Sequence, residues 1–132
     1  MFEYSETTRS ITVTVVPTYL EEQSAPDSGR YLWAYQVTIE NQGAETVQLV
    51  HRVWKITDGD GRVEEVRGPG VVGEQPVLGP GERFEYTSGT PLSTASGFMV
   101  GSYGMRTVEG ERFEIAVPAF SLDGPRRPAN LH

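Results

Sequence analysis

From Tyr31 the chain alternates: Tyr31, Trp33, Tyr35, Val37 and Ile39, all aromatic or aliphatic, take turns with the more polar set Leu32, Ala34, Gln36, Thr38 and Glu40. A period of two points successive side chains to opposite faces of an extended chain, so this segment predicts a strand with one buried and one wetter face. A helix cannot use that spacing. Further β-rich runs occupy residues 11–20, 46–57, 62–67, 83–87, 97–108 and 112–120, which makes about seven strands. The breaks Asn41-Gln42-Gly43, Asp58-Gly59-Asp60-Gly61 and Glu109-Gly110-Glu111 each offer a glycine for positive φ and read as hairpins. Short strands with turn signals about every ten residues and no amphipathic helix predict an all-β fold. The expected form is an antiparallel β-sandwich of the fibronectin type III or immunoglobulin-like kind.

A chain of 132 residues, 37% of them hydrophobic, can bury one core. The sandwich is expected over residues 1–122, with a polar C-terminal tail over 123–132. Pro17 and Pro118 each remove a ladder donor, which places them at sheet edges or bulges.

A net charge of −7 repels phosphate backbones, which disfavours nucleic-acid binding. There is no cysteine, so disulfides and thiolate metal sites are excluded. Residues 1–10 lack the basic-then-apolar pattern of a secretion signal, and no apolar run approaches the roughly 20 residues a membrane helix needs. No membrane association and a cytoplasmic location are expected.

Residues 69–81 carry no strand pattern, and long irregular segments in compact domains are commonly functional. This segment follows Gly68 and contains most of a GxGxxG match, formed by Gly68, Gly70 and Gly73. In dinucleotide folds the glycines bring backbone amides to a pyrophosphate at a helix start. Here Glu74, Gln75, Pro76, Val77, Leu78, Gly79 and Pro80 follow, which make no such helix, so that reading fails. Two readings stay open. The loop amides form an anion-binding nest assisted by Arg67 or Arg52, or the glycines allow a tight crossing between sheets. The DGDG turn has Arg62 where a calcium loop needs a ligand, and reads as a hairpin. With only His51 and His132, a histidine-rich metal site cannot be built; carboxylates alone could hold magnesium, but their spacing singles out no set. His51 reads as a sheet-surface residue. No GxSxG elbow accompanies the serines, so no catalytic residue is assigned and a non-enzyme is expected.

The stretch from Arg52 through Trp54, Thr57, Asp58 and Arg67 into GPGVVGEQP at 68–76, then Tyr86 to Gly89 and Gly101 to Tyr103, resembles the ApaG family. The resemblance spans roughly residues 11–122. Val53 stands where many members carry histidine or tyrosine, which argues against ring chemistry there. Membership implies a fibronectin type III-like sandwich. It also implies a genetic association with diadenosine tetraphosphate hydrolysis and with cobalt and magnesium handling, and reuse of the domain in eukaryotic adaptor proteins. The leading expectation is a noncatalytic module, without a cofactor, that meets a protein partner through the glycine-rich loop and adjacent sheet face. Its candidate residues are Arg52, Arg67, Gly68, Gly70, Gly73, Glu74 and Gln75. The alternative is a small-ligand module for pyrophosphate or a dinucleoside polyphosphate, with magnesium or cobalt linkage.

Overall fold

The computed structural model describes residues 2–124. Nine strands follow one another: β1 (Tyr4–Thr8), β2 (Ile11–Tyr19), β3 (Tyr31–Asn41), β4 (Val47–Asp58), β5 (Val63–Pro69), β6 (Val77–Leu78), β7 (Arg83–Leu92), β8 (Ser96–Thr107) and β9 (Arg112–Asp123). Two single 3-10 turns, Glu21–Gln23 and Pro26–Ser28, lie between β2 and β3. One sheet has the order β1-β2-β3-β7 and the other β5-β4-β8-β9, with β6 also paired to β4. All pairings are antiparallel.

The alternation of residues 31–39 is realised in β3, whose Trp33, Tyr35, Val37 and Ile39 are buried. Val13 and Val15 of β2 join them from the same sheet, and Leu49, Trp54, Met99, Tyr103, Met105, Ile115, Val117 and Phe120 face them from the other. Full burial of each such aliphatic side chain contributes about 1.5–3 kcal/mol. The sandwich is an all-β antiparallel fold.

Two strands exceed the expected seven. β1 was hidden because YSETT is polar on both faces, yet it adds to β2 from Tyr4↔Val15 to Thr8↔Ile11. β6 lies inside the segment expected to be strand-free, where Val77 and Leu78 pair with Gln48 and Val47. Pro17 lies just beyond Val15, the last β2 residue that β1 covers, so its missing N–H leaves no neighbour unpaired. Pro118 sits on edge strand β9, in the irregularity between Met99 and Gly101 of β8. The polar tail expected over residues 123–132 overlaps β9 at Asp123; residues 125–132, His132 among them, lie outside the described residues.

The hairpin expected at Asn41-Gln42-Gly43 is not one. β3 and β4 belong to different sheets, so this segment carries the chain across the sandwich. The buried Asn41 amide makes the corner, donating to Glu45 O at 2.7 Å and Leu78 O at 3.0 Å and accepting Gly43 N–H at 3.0 Å. The DGDG turn is a hairpin. Asp58 Oδ1 accepts the amides of Asp60 and Arg62, both at 2.9 Å.

The sides of the sandwich differ. β9 packs against β1 and β2, and Ala116 N donates across to Thr8 Oγ1 at 3.2 Å. No comparable packing joins β5 to β7, so the layers stand open there and the segment after β5 folds over the gap.

Candidate functional site

The site begins with a bulge. The β4–β8 register shifts between Leu49 and His51, leaving Val50 outside the ladder. Bulges turn backbone groups toward new partners, and the Val50 carbonyl accepts Gly70 N–H and Gln75 Nε2–H, both at 2.8 Å. Past the bulge, alternation turns Arg52 and Trp54 to the face that looks at the other sheet. Arg52 pairs with Gly68 of β5, and its guanidinium lies where a side chain at 68 would begin: a Cβ there would be 3.0 Å from Nη1 and Nη2. Nη1 donates to Pro69 O and Gly70 O, both at 2.9 Å, curling the strand end inward.

Gly70 then takes φ 59, and a Cβ would lie 2.1 Å from Glu74 O, so only glycine fits. Val71 plugs the core at 1% exposure. Val71 and Glu74 exchange both amide–carbonyl bonds at 2.8 Å, closing a two-residue turn over Val72 (φ 43) and Gly73 (φ 81). Gln48 Nε2 donates to Gln75 O at 3.1 Å, and Leu49 N to Pro76 O at 3.0 Å, before β6 pairs. From Gly68 to Leu78 the chain stays on the β4 sheet, and it passes to the other sheet only after β6, where Gly81 N–H donates to Asn41 O at 2.7 Å. The crossing that one expectation gave to Gly68, Gly70 and Gly73 therefore lies beyond them.

Beneath the turn lies a cleft of about 180 Å³ between the layers, lined by Tyr35 of β3, Arg52 and Trp54 of β4, Tyr86 and Ser88 of β7, and the turn itself. Tyr86 and Tyr103 hydroxyls are hydrogen-bonded at 2.5 Å. Burial pushes both phenols above the usual tyrosine range, and the neighbouring phenol raises Tyr103 further. The Arg52 charge acts on both in the opposite sense.

Of the residues singled out in the sequence, Arg52, Gly68, Gly70, Gly73, Glu74 and Gln75 are brought into one unit. Arg67 is not. It pairs with Val53 on the opposite face, where its Nε donates to Glu65 Oε2 at 2.7 Å. Nor do Gly70, Val71 and Glu74 offer amides to an anion, since all three are bonded within the protein; the anion-nest reading is left with the amides of Val72 and Gly73. His51 lies on the outer face of β4, its ring against Gly104, where a Cβ would be 1.9 Å from Cε1. Among the described residues no group of three or more histidines, aspartates and glutamates is placed to hold a metal ion. No helix among them is long and apolar enough to cross a membrane.

Of the residues that meet here, the sequence pattern places Tyr35 on the buried face of its strand, and it gives the side chains of Tyr86 and Ser88 no role. The signal was tyrosine, not phenylalanine, at inward positions, because a buried hydroxyl needs a partner.

Residues 21–107 match the model of the ApaG domain, and this span contains the bulge, the turn and the cleft. The chain belongs to the ApaG family. It is similar to Protein ApaG of Rhodospirillum centenum, at 70% identity over 122 residues that make up 92% of this chain and 94% of the relative. Protein ApaG of Parvibaculum lavamentivorans is 65% identical over 129 residues, 98% of this chain and 99% of the relative. Among solved structures, an ApaA protein from Bordetella pertussis is similar with a TM-score of 0.85 and 50% identity, covering 89% of this chain and 95% of that one. The C-terminal domain of wzt, at 14% identity and a TM-score of 0.55, shares the fold with this ApaG-family chain over 96% of it and 80% of that domain.

Proposed function

We propose that this ApaG-family domain is a noncatalytic binding module that meets a protein partner through the 70–76 loop. One observation carries the reading. Val72, a β-branched residue, is held at φ 43 with 51% of its surface exposed, at the tip of a turn braced from below by Arg52 and Gly70. β-branched residues avoid that region, and strain of this kind, costing about 1–3 kcal/mol, collects where a surface is shaped for use. An apolar side chain on a rigid tip suits a protein contact, because little ordering entropy is lost on association.

The small-ligand reading has less support. A cleft of about 180 Å³ lies below the roughly 300–1,000 Å³ of ordinary ligand pockets, too little for a dinucleoside polyphosphate.

Affinity capture on the immobilised chain tests the proposal, with Val72→Asp against a control, Val63→Asp, at an exposed valine on β5. A set of proteins lost with the first variant and kept with the second supports it. Equal recovery on both sinks it. Calorimetric titration with pyrophosphate and with diadenosine tetraphosphate is the counter-test, since binding there that depends on Gly73 would favour the alternative.

A further inference from the structure

The cleft under the turn has an unbalanced set of polar groups. Two hydroxyls joined by one hydrogen bond use one of their two protons, so the Tyr86–Tyr103 pair keeps a second O–H, and neither hydroxyl has another partner among the described residues. Tyr86 opens on the cleft. Ser88 and Tyr35 also line it, and their hydroxyls make no hydrogen bond among the described residues. Arg52 spends both Nη1 protons on Pro69 O and Gly70 O. Its Nε and Nη2 protons have no acceptor among the described residues, and Nε with Nη2 forms the two-pronged edge that matches two oxygens of one acid. Val72 and Gly73 also line the cleft, and their amides have no backbone acceptor among the described residues. Against these donors the lining contains no carboxylate.

Donors converging from three strands and a turn, one of them a fixed cation, call for an acceptor-only ligand. Its charge and size are bounded too. A single guanidinium, in a lining that otherwise carries the rings of Tyr35, Trp54 and Tyr86, balances one negative charge, and the chain's −7 opposes a doubly charged phosphate. About 180 Å³ holds a group of a few heavy atoms.

We propose that this cleft takes up a carboxylate, carried on an aspartate or glutamate side chain that the protein partner presents beside Val72. This rests on the reading that the loop meets a protein, and adds the chemistry of the contact. Val72 supplies the apolar rim, and Arg52 with the hydroxyls supplies the oriented donors at its foot. Arg52 thereby serves two ends through different nitrogens, Nη1 shaping the loop and Nε with Nη2 facing the acid.

Amide and indole NMR spectra of the full chain test this on addition of N-acetyl-aspartate methylamide, with acetamide as the neutral mimic, acetylglycine as a chain-terminal carboxylate, and inorganic phosphate as the rival anion. At about 20 mM the aspartate probe is expected to move the Trp54 indole and the amides of Val72, Gly73 and Ser88, because ligands of so few atoms bind in the millimolar range. Acetamide is expected to leave them in place. Tyr86→Phe and Ser88→Ala spare the Arg52–loop bonds and should weaken the response several-fold. Arg52→Lys, which keeps the charge but loses the fork, should weaken it by about tenfold or more, the loss of one charge-assisted hydrogen bond. No shift with the aspartate probe, equal shifts with acetamide, tighter binding of phosphate or acetylglycine, or undiminished binding to Tyr86→Phe and Ser88→Ala would each overturn the proposal. If carboxylates fail while Val72→Asp still abolishes protein capture, the partner reading survives without this contact. Carboxylate binding with capture indifferent to Val72 would separate them the other way.

Discussion

Two turns put non-glycine residues into the left-handed region, and they do so on different terms. At the β1–β2 hairpin, Arg9 (φ 49) and Ser10 (φ 64) make the whole two-residue turn. Arg9 is repaid by its contacts: its guanidinium donates to Glu111 Oε2 at 3.1 Å and Oε1 at 3.3 Å, and lies 4.0 Å above the Phe113 ring. At the loop turn, Val72 has the same backbone conformation and a side chain half in solvent. A strained backbone needs compensation. For Arg9 it lies within the fold; for Val72 it lies only in the bracing of the backbone beneath it, which leaves the side chain for something outside the molecule.

The largest test removes that bracing. Gly70→Ala places a Cβ against Glu74 O at φ 59 and is expected to cost about 3 kcal/mol in urea unfolding, with loss of the Val71–Glu74 bonds in amide exchange. A change under about 0.5 kcal/mol would mean the turn is not held as described.

High and low pH should then distinguish the two regions. The Tyr86 and Tyr103 phenols have folded pKa values raised by burial, so their share of stability is complete below about pH 10, where unfolded tyrosine titrates, and falls as pH rises through the higher folded values. Alkaline titration followed by phenolate absorbance should show these two ionising only as the chain unfolds. Tyr86→Phe should remove part of that dependence. Glu111 is the reverse case: hydrogen bonding to Arg9 holds its carboxyl below the usual range, so its contribution is present above that range and fades as pH falls through the folded value.

A smaller effect decides the comparison by sign. Val72→Gly relieves a left-handed β-branched residue and should stabilise by about 0.5–1 kcal/mol, after the added chain entropy of glycine is subtracted. Arg9→Gly gives the same backbone relief but forfeits Glu111 and Phe113, and its urea midpoint is expected to fall. If both midpoints rise, the contacts of Arg9 do not account for its conformation. The smallest effect is ionic: added salt should weaken the exposed Arg9–Glu111 pair while leaving the Arg52 bonds to backbone carbonyls nearly unchanged.

Much of this was legible in the residues. Period two marked β3, Gly110 and Gly61 marked true hairpins, and Pro17 and Pro118 reported local sheet edges. Asn41-Gln42-Gly43 misled because an amide that caps a hairpin and one that turns a corner between layers look alike in sequence. Of the candidate site, the glycines were found by their spacing and Arg52 as a cation flanking them, but Arg67 was counted with them because sequence proximity says nothing of which face of β5 a side chain leaves.

Alternation, turn chemistry and the absence of a helix after Gly73 determined by themselves that two antiparallel layers form, since these act over neighbouring residues. Only the tertiary structure decided that Val50 bulges, that Arg52 consequently turns inward, and that Tyr35, Tyr86 and Ser88 meet it across the gap. Those outcomes depend on register between strands distant in the chain, and a single displaced residue reverses which face every later side chain takes.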